Sequence, residues 1–200
     1  MHNPFTDEQN KKIKTFIDLA LEFNKTHNIF SREDSQEVFK KDILDCYPII
    51  KYLEKDNTIL DLGSGGGFPG VLLSITKPNN KTHLIESSAK KCYFLRTVVD
   101  KLSLSNTTII NERIKTKNTL GRFDIITARA FASIKNIMDL TQNNTKNKTK
   151  YVLLKGREQT IKQELTDINK KTHIYEIIKQ KLGPEAVSYT HLTLPTIVGV

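Results

Sequence analysis

The sequence predicts an α/β protein with a mostly parallel, doubly wound sheet, and three observations lead to this prediction. From residue 57 onward, short apolar segments alternate with helical ones, as expected of parallel strands joined by crossover helices. The first of these strands runs into a glycine-rich turn, Asp61-Leu-Gly-Ser-Gly-Gly-Gly-Phe-Pro-Gly70, and then a helix. Charged residues, Glu86 and Arg129, follow later strands at the edge where such sheets bind ligands.

Length and composition limit the class of protein. The 200 residues suit one domain with a small appendage, and 38% hydrophobic with 26% charged residues is typical of a globular chain. No apolar run approaches the roughly 20 residues that span a bilayer, and the first residues lack the features of a signal peptide. We therefore expect a cytoplasmic protein. Cys46 and Cys92 show neither metal-ligand spacing nor a disulfide framework, so we expect two small, partly buried side chains and no metal site.

The net charge has two explanations. Lys and Arg number 31 against 22 Asp and Glu, which gives +9 and favours a polyanionic partner. The chain is also rich in Lys, Asn and Ile, a bias that an AT-rich genome would produce without any such partner. Charge alone therefore leaves nucleic-acid binding open.

Residues 1–55 are predicted to form a helical N-terminal extension. Apolar residues recur at helical spacing up to Phe23, and Thr6 with Gln9 forms a capping-box pattern at the start. A polar break is expected over residues 24–34. The extension is predicted to contain helices over residues 5–23, 35–44 (ending before Pro48) and 49–55.

Residues 56–181 are predicted to form the Rossmann-like domain. Its expected strands cover residues 58–62, 82–86, 107–110, 123–127, 150–155 and 173–178. Its expected helices cover residues 71–76, 89–102, 134–140 and 158–170. The Asn-, Lys- and Thr-rich segment 141–149 is predicted to be a loop.

Residues 182–200 are interpreted separately. The segment Val187-Ser-Tyr-Thr-His-Leu-Thr-Leu-Pro-Thr196 resembles the translation of a common sequencing adapter. We therefore expect a non-native read-through tail here, and a sheet that lacks its natural final strand.

The glycine turn has the spacing of a cofactor loop. Gly63, Gly65 and Gly67 form G-x-G-x-G, without the third glycine of the dinucleotide motif or the Gly-Lys-Ser/Thr of a nucleotide-triphosphate loop. With Asp61 before it, this pattern resembles the first motif of Rossmann-like, class I methyltransferases, which use S-adenosylmethionine. Asp61 would then orient the loop and the ammonium of the cofactor through water. The alternative interpretation is an ordinary tight turn.

Glu86 supports the cofactor interpretation. It follows the second strand and lies 25 residues after Asp61. A carboxylate at this place can accept hydrogen bonds from both ribose hydroxyls, as in dinucleotide folds. The alternative is an exposed acid that caps the next helix.

Several longer motifs resemble one family. They are Gly67-Phe-Pro-Gly70, Lys90-Lys-Cys-Tyr-Phe-Leu95, Asn111-Glu-Arg113, Thr127-Ala-Arg-Ala-Phe-Ala132, Leu154-Lys-Gly156 and, in the extension, Phe23-Asn-Lys25 with Asn28. Over roughly residues 15–180 the chain resembles the bacterial 16S ribosomal RNA guanine-N7 methyltransferases (RsmG, also called glucose-inhibited division protein B).

The resemblance implies roles for individual residues. Gly63, Gly65 and Phe68 would contact the cofactor from the loop, and Glu86 would hold its ribose. Ile114 and Lys115 would flank the adenine. Arg129 would lie beside both the cofactor and the guanine, as the catalytic residue.

The chain departs from the family pattern at two places. Arg113-Ile-Lys115 replaces Arg-x-Glu, so only a backbone contact is expected at Lys115. Asp42-Ile-Leu-Asp45-Cys46 replaces His-x-x-Asp-Ser, so the role of that histidine is lost.

Guanine N7 chemistry agrees with the residues that follow the fourth strand. N7 carries a free lone pair at neutral pH, so its methylation depends on positioning and electrostatics rather than on a strong base. Neither the Asn/Asp-Pro-Pro-Tyr/Phe typical of adenine amine methylation nor the Pro-Cys of cytosine C5 methylation occurs there. Arg129 could hold the guanine O6 or a nearby phosphate. Alternatively, Arg129 forms a salt bridge to Asp61 or Asp124.

The sequence thus predicts an enzyme that methylates guanine N7 of 16S rRNA in the small ribosomal subunit, acting as a monomer. Two alternatives remain: a methyltransferase of the same fold acting on a small molecule or protein, and a non-catalytic RNA-binding protein. Candidates for RNA phosphate contacts, or else for solvated surface, are Lys11, Lys12, Lys25, Arg32, Lys155 and Arg157.

Overall fold

The described part of the chain forms one seven-stranded sheet. The computed structural model describes residues 3–156, 158–166, 168, 174–181 and 186–193. The strands lie in the order β3-β2-β1-β4-β5-β7-β6. Their bounds are β1 Thr58–Leu62, β2 Lys81–Ile85, β3 Thr107–Ile110, β4 Phe123–Arg129, β5 Thr145–Lys155, β6 Ile174–Lys181 and β7 Ala186–Thr193. Strands β1 to β5 are parallel, and β7 is antiparallel to both β5 and β6. The predicted α/β class is therefore confirmed.

Strand β5 is longer than predicted. It begins at Thr145, so part of segment 141–149 is strand and not loop. Thr149 explains the extension, because its buried hydroxyl donates to the Phe123 carbonyl at 2.6 Å and accepts from the Lys146 N–H at 2.7 Å. These bonds attach the polar start of β5 to β4.

Among the described residues, the sheet includes a strand within the segment expected to be non-native, and the loss of the natural final strand stays a prediction. Ala186–Thr193 forms β7 and occupies the place between β5 and β6. This segment is rich in Val, Thr and Tyr, which favour extended backbone on a sheet. The non-native origin of residues 182–200 stays a prediction.

Helices cover both faces of the sheet. Their bounds are α1 Asp7–His27, α2 Ser35–Val38, α3 Leu44–Cys46, α4 Gly70–Thr76, α5 Ala89–Lys101, α6 Ile134–Thr141 and α7 Glu158–Leu165. The predicted capping box of Thr6 and Gln9 at the start of α1 is confirmed. Among the described residues, no helix combines the length and the apolar character that crossing a membrane requires.

The helical part of the extension differs from the prediction at two points. Helix α1 continues to His27, because the left-handed Asn28 ends it and the Asn24 side chain organises the chain beyond. The second helical run does not end before Pro48. It continues from α2 through a π-helical segment, Phe39–Ile43, then α3, then the 3-10 segment Tyr47–Tyr52. Pro48 is tolerated at the start of the 3-10 segment, where its missing N–H is not needed.

Two hydrophobic cores lie on opposite faces of the sheet. One contains Phe16 of α1, Leu72 of α4 and Phe94 of α5. The other contains Ile134 of α6 and Ile161 of α7. The N-terminal extension therefore shares a core with two helices of the Rossmann-like domain. Because β1, β2 and β4 are parallel, their carboxyl ends meet at one edge, next to the extension.

Candidate functional site

The glycine loop is a tight connection held to the neighbouring strand. Gly63, Gly65 and Gly67 have φ values of 65°, 54° and 91°, which other residues rarely adopt. The N–H groups of Gly63 and Ser64 both donate to the carbonyl of Ile85, at 2.9 and 3.2 Å. The loop thus lies at the end of β2, and its contact with a cofactor stays a prediction.

Phe68 lies in the core. Its ring is 8% exposed and packs against Phe16, with ring centroids 4.9 Å apart, and against Phe30 at 6.4 Å. The ring therefore fixes the glycine loop to the N-terminal extension. A contact from Phe68 to the cofactor would have to come from its backbone, and that contact stays a prediction.

Asp61 is a buried acid beneath the loop. Among the described residues, no partner makes a hydrogen bond of regular geometry to either of its carboxylate oxygens. Burial raises the pKa of Asp61 to about 7, although the Ser64 hydroxyl and the Gly70 N–H oppose this rise and the Glu86 charge adds to it. A buried carboxyl without a strong partner fits a cationic ligand group such as an ammonium.

Glu86 lies one residue beyond β2 and is oriented by backbone groups. One carboxylate oxygen accepts from the Gly65 N–H at 3.0 Å, and the other accepts from the Ser88 N–H at 2.8 Å. The cap of α5 is the Ser88 side chain and not Glu86. Glu86 is 7% exposed, so its carboxylate is held in place beside the glycine loop.

The predicted adenine-flanking residues lie on a loop after β3. Ile114 is buried in the core that contains α6, whereas Lys115 is exposed. The loop is held by two amides that sequence reasoning missed, Asn118 and Asn144. Asn118 donates to the Lys115 carbonyl at 2.8 Å, and the two amides bond each other at 2.8 and 3.0 Å. The asparagine-rich composition of segment 141–149 was the available signal.

Arg129 is the last residue of β4 and faces the extension. Its Nη1 donates to Asp42 Oδ1 at 2.6 Å, its Nη2 donates to the Lys41 carbonyl at 3.0 Å, and Nη2 lies 3.5 Å from Asp45 Oδ2. The alternative prediction, a salt bridge from Arg129 to Asp61 or Asp124, named the wrong partners. Arg129 forms its ion pairs with Asp42 and Asp45. Asp124 lies at the opposite end of β4.

The turn after β4 brings a further aromatic ring to the glycine loop. Ala130 has a φ of 49°, a left-handed conformation that is uncommon for alanine. The next residue, Phe131, is 38% exposed, and its ring lies so close to Gly63 that a Cβ there would collide with it. The site thus places Arg129 and Phe131 around the glycine loop, and only Arg129 was predicted.

Most basic candidates for RNA contact have acidic partners. Arg32 donates to Asp42 at 3.1 Å, and Lys155 lies 2.9 Å from Glu164 and donates to the Ala132 carbonyl. Lys25 pairs with Glu22, and Lys12 lies 3.7 Å from Glu8. Lys11 is exposed. Arg157 lies outside the described residues. Their RNA contacts remain predictions.

The donor set fits an organic cofactor with a cationic end and a ribose. Asp61, Glu86 and the glycine loop lie together at the carboxyl edge of the sheet, and Ile114 supplies apolar surface near it. Within the described ranges, no group of three or more His, Cys, Asp or Glu could hold a metal ion. Cys46 and Cys92 are both buried.

Comparison with known proteins identifies relatives over nearly the whole chain. The family model described as GidB, rRNA small subunit methyltransferase G, matches residues 9–186. A ribosomal RNA small subunit methyltransferase G from Haemophilus influenzae (strain PittEE) is 33% identical over 187 residues, which cover 94% of this chain and 90% of the relative. The corresponding protein of Rickettsia bellii (strain OSU 85-389) is 36% identical, with 86% of each chain covered.

Solved structures show the same fold at low identity. A SAM-dependent methyltransferase from Aquifex aeolicus superposes with a TM-score of 0.63 at 15% identity, covering 88% of this chain and 98% of the other. An O-methyltransferase from Bacillus cereus, solved in complex with SAH, gives 0.64 at 12% identity, covering 90% and 91%. At these identities the likeness concerns the fold alone.

Proposed function

The chain belongs to the rRNA small subunit methyltransferase G family, and on this premise we propose that it methylates guanine N7 in 16S rRNA with S-adenosylmethionine. One observation supports the proposal most strongly. Glu86, Asp61 and the glycine loop meet at one edge of the sheet, and Arg129 ends the strand beside β1. A cofactor site and a guanidinium for the acceptor base are thus neighbours.

Each group of the cofactor site has a separate task. The bound cofactor supplies a methyl group on a positively charged sulfur. Asp61 would attract the ammonium through water, and Glu86 would accept hydrogen bonds from the ribose hydroxyls. Ile114 would cover the adenine, and the Lys115 backbone would lie at its edge. Gly63 and Gly65 allow the ligand to approach the backbone, because neither carries a side chain.

Arg129 would orient the guanine. Its charged, planar guanidinium can donate to O6 and so bring the neighbouring N7 in line with the methyl group. N7 needs no base to remove a proton before it attacks. The site accordingly works by positioning and by electrostatic stabilisation. This explains how Arg129 can be catalytic without accepting a proton.

The partner and location follow from the substrate. We propose that the enzyme acts on the assembled small ribosomal subunit, as a monomer in the cytoplasm. The net charge of +9 supports attraction to rRNA phosphates.

Methyl transfer provides the test. Purified protein is incubated with radioactive S-adenosylmethionine and 30S particles that lack the modification, and the rRNA is digested to nucleosides. We expect label in 7-methylguanosine, and a loss of about 100-fold in kcat for Arg129→Lys, which keeps the charge without the planar fork. Label in another nucleoside or in a protein would overturn the proposal. Cofactor binding without any methyl transfer would favour a non-catalytic RNA-binding protein.

A further inference from the structure

A cluster of four charged side chains connects the N-terminal extension to the end of β4. It consists of Arg32, Asp42, Asp45 and Arg129. Asp42 is shared: its Oδ1 accepts from Arg129 Nη1 at 2.6 Å, and its Oδ2 accepts from Arg32 Nε at 3.1 Å. Each arginine therefore binds a different oxygen of one carboxylate.

The cluster is electrically balanced and largely removed from water. The side chains of Arg32 and Arg129 are 22% exposed, and those of Asp42 and Asp45 are 6% exposed. Two positive charges face two negative ones. Because a charge left unpaired at such depth is costly, the arrangement resists any motion that separates its members.

The contacts determine how the Arg129 guanidinium is turned. Both of its terminal nitrogens are engaged, Nη1 by Asp42 and Nη2 by the Lys41 carbonyl. Two contacts on a planar fork fix its plane and its direction. The carboxylate that does this comes from the π-helical segment Phe39–Ile43, a helix type that is frequent at functional sites.

The residues after Arg129 connect this contact to the glycine loop. Ala130 turns the chain with its φ of 49°, and Phe131 then packs on Gly63. A shift of Arg129 would therefore also move the ring that borders the loop.

We propose that Asp42 is a positioning residue for Arg129, with Arg32 completing the charge balance on its other side. Its carboxylate holds the guanidinium in the orientation that guanine recognition requires. The helical extension thus contributes to the geometry of the reaction. This inference rests on the proposed function, in which Arg129 orients the acceptor base.

The competing explanation is an ion pair that contributes only to stability. Strand β4 offers a matched control at its other end. There Asp124 accepts from Lys146 at 2.7 Å and from the Thr58 hydroxyl at 2.8 Å, far from the glycine loop. Replacing Asp42 or Asp124 removes one charge from an ion pair that includes a residue of β4. Only Asp42 is expected to affect catalysis as such.

The experiment compares Asp42→Asn with Asp124→Asn. Steady-state methylation of 30S particles gives kcat, calorimetry with S-adenosylhomocysteine gives the cofactor Kd, and thermal unfolding gives Tm. For Asp42→Asn we expect kcat to fall by about tenfold or more with the cofactor Kd within threefold, since small misplacements of a catalytic group are costly. For Asp124→Asn we expect kcat within about twofold although Tm falls.

A kcat for Asp42→Asn within about twofold of the wild type would overturn the inference, as would equal losses of kcat in both variants. If Asp42→Asn does not fold, Asp42→Glu keeps the charge but lengthens the side chain. We then expect a reduced kcat at native Tm, and an unchanged kcat would equally overturn the inference. Failure of the wild-type chain to form 7-methylguanosine would instead count against the proposed function.

Discussion

The backbone N–H of Gly65 donates to the Glu86 carboxylate at 3.0 Å, so the glycine loop and the end of β2 are held together by the side chain that is proposed to bind the ribose. The same carboxylate accepts from the Ser88 N–H at the start of α5. Glu86 therefore shapes the glycine loop, and in the proposed function it would also bind the cofactor.

Replacement of Glu86 should weaken cofactor binding. Glu86→Gln keeps the size but loses the charge that strengthens each hydrogen bond, and a bond to a charged group contributes about 1.5–3 kcal/mol. We expect the Kd of S-adenosylhomocysteine to rise by about 10- to 100-fold, measured by calorimetry. Glu54→Gln, at an exposed acid that pairs with Lys150, should leave the Kd within about twofold. A native Kd for Glu86→Gln would contradict the ribose assignment.

A methyl group at Gly63 should destabilise the fold through two effects. Alanine is strained at a φ of 65°, which costs about 1–2 kcal/mol, and its Cβ would collide with the Phe131 ring. Gly121→Ala isolates the strain, because Gly121 has a φ of 88° and no atom within 4 Å of the added Cβ. Urea unfolding should show a larger loss of unfolding free energy for Gly63→Ala than for Gly121→Ala. Adding Phe131→Ala to Gly63→Ala should reduce this difference. Equal losses of unfolding free energy in Gly63→Ala and Gly121→Ala would mean that the Phe131 ring moves aside without measurable cost.

The buried Asp61 should make stability depend on pH. The pKa of Asp61 is raised from 3.8 to about 7 by burial, so between those values the folded protein holds a proton that the unfolded chain has lost. The free energy of unfolding should therefore fall as pH rises through this window and level off above it. Chemical denaturation from pH 4 to pH 8 measures the slope. Asp61→Asn should reduce this fall in the free energy of unfolding with rising pH. An identical fall in the variant would mean that other groups cause the pH dependence.

Cofactor binding should respond to the same proton. An ammonium beside Asp61 favours the carboxylate form, so binding expels the proton when the pH lies below about 7. Affinity should weaken from pH 8 to pH 6 by up to about tenfold per unit below the pKa of Asp61. Calorimetry in two buffers of different ionisation enthalpy detects the released proton. In Asp61→Asn, the part of the pH dependence that comes from this site should disappear.

Loss of the Asn144 amide should loosen the loop that carries Ile114. Asn144 is 1% exposed, bonds Asn118 and donates to the Gly121 carbonyl at 2.8 Å. Asn144→Ala leaves these partners unsatisfied, at about 1–3 kcal/mol. Asn143→Ala is the control, because this exposed neighbour makes a single bond to the Thr116 carbonyl. Hydrogen exchange should accelerate over residues 111–122 only in Asn144→Ala, and the same acceleration in both variants would contradict the role of the amide pair.

The sequence was most informative where local pattern and tertiary structure agree. Strands β1 and β3 have their predicted bounds, because short apolar runs between polar turns leave little choice of register. The glycine loop and Glu86 were recognisable because their spacing along one βαβ unit determines their spacing in the fold.

Long-range partners were not predictable in the same way. Nothing near Arg129 in the chain indicates that Asp42 will neutralise it, and the predicted partners were Asp124 on the same strand and Asp61 on β1. Helix α1 was predicted too short because Asn24, a poor helix former, is stabilised by the loop beyond it. In both cases, contacts that depend on the complete fold override local preference.

The pair Asp42–Arg129 also has a consequence for how the chain becomes an enzyme. Its members are 87 positions apart, and Thr58 and Asp124, which tie β1 to β4, are 66 apart. Closing such long loops costs entropy before any contact forms, which makes parallel sheets slow to fold. During synthesis, Asp42 leaves the ribosome long before its partner exists. The Arg129 guanidinium therefore acquires its orientation only when the two ends of this loop have met.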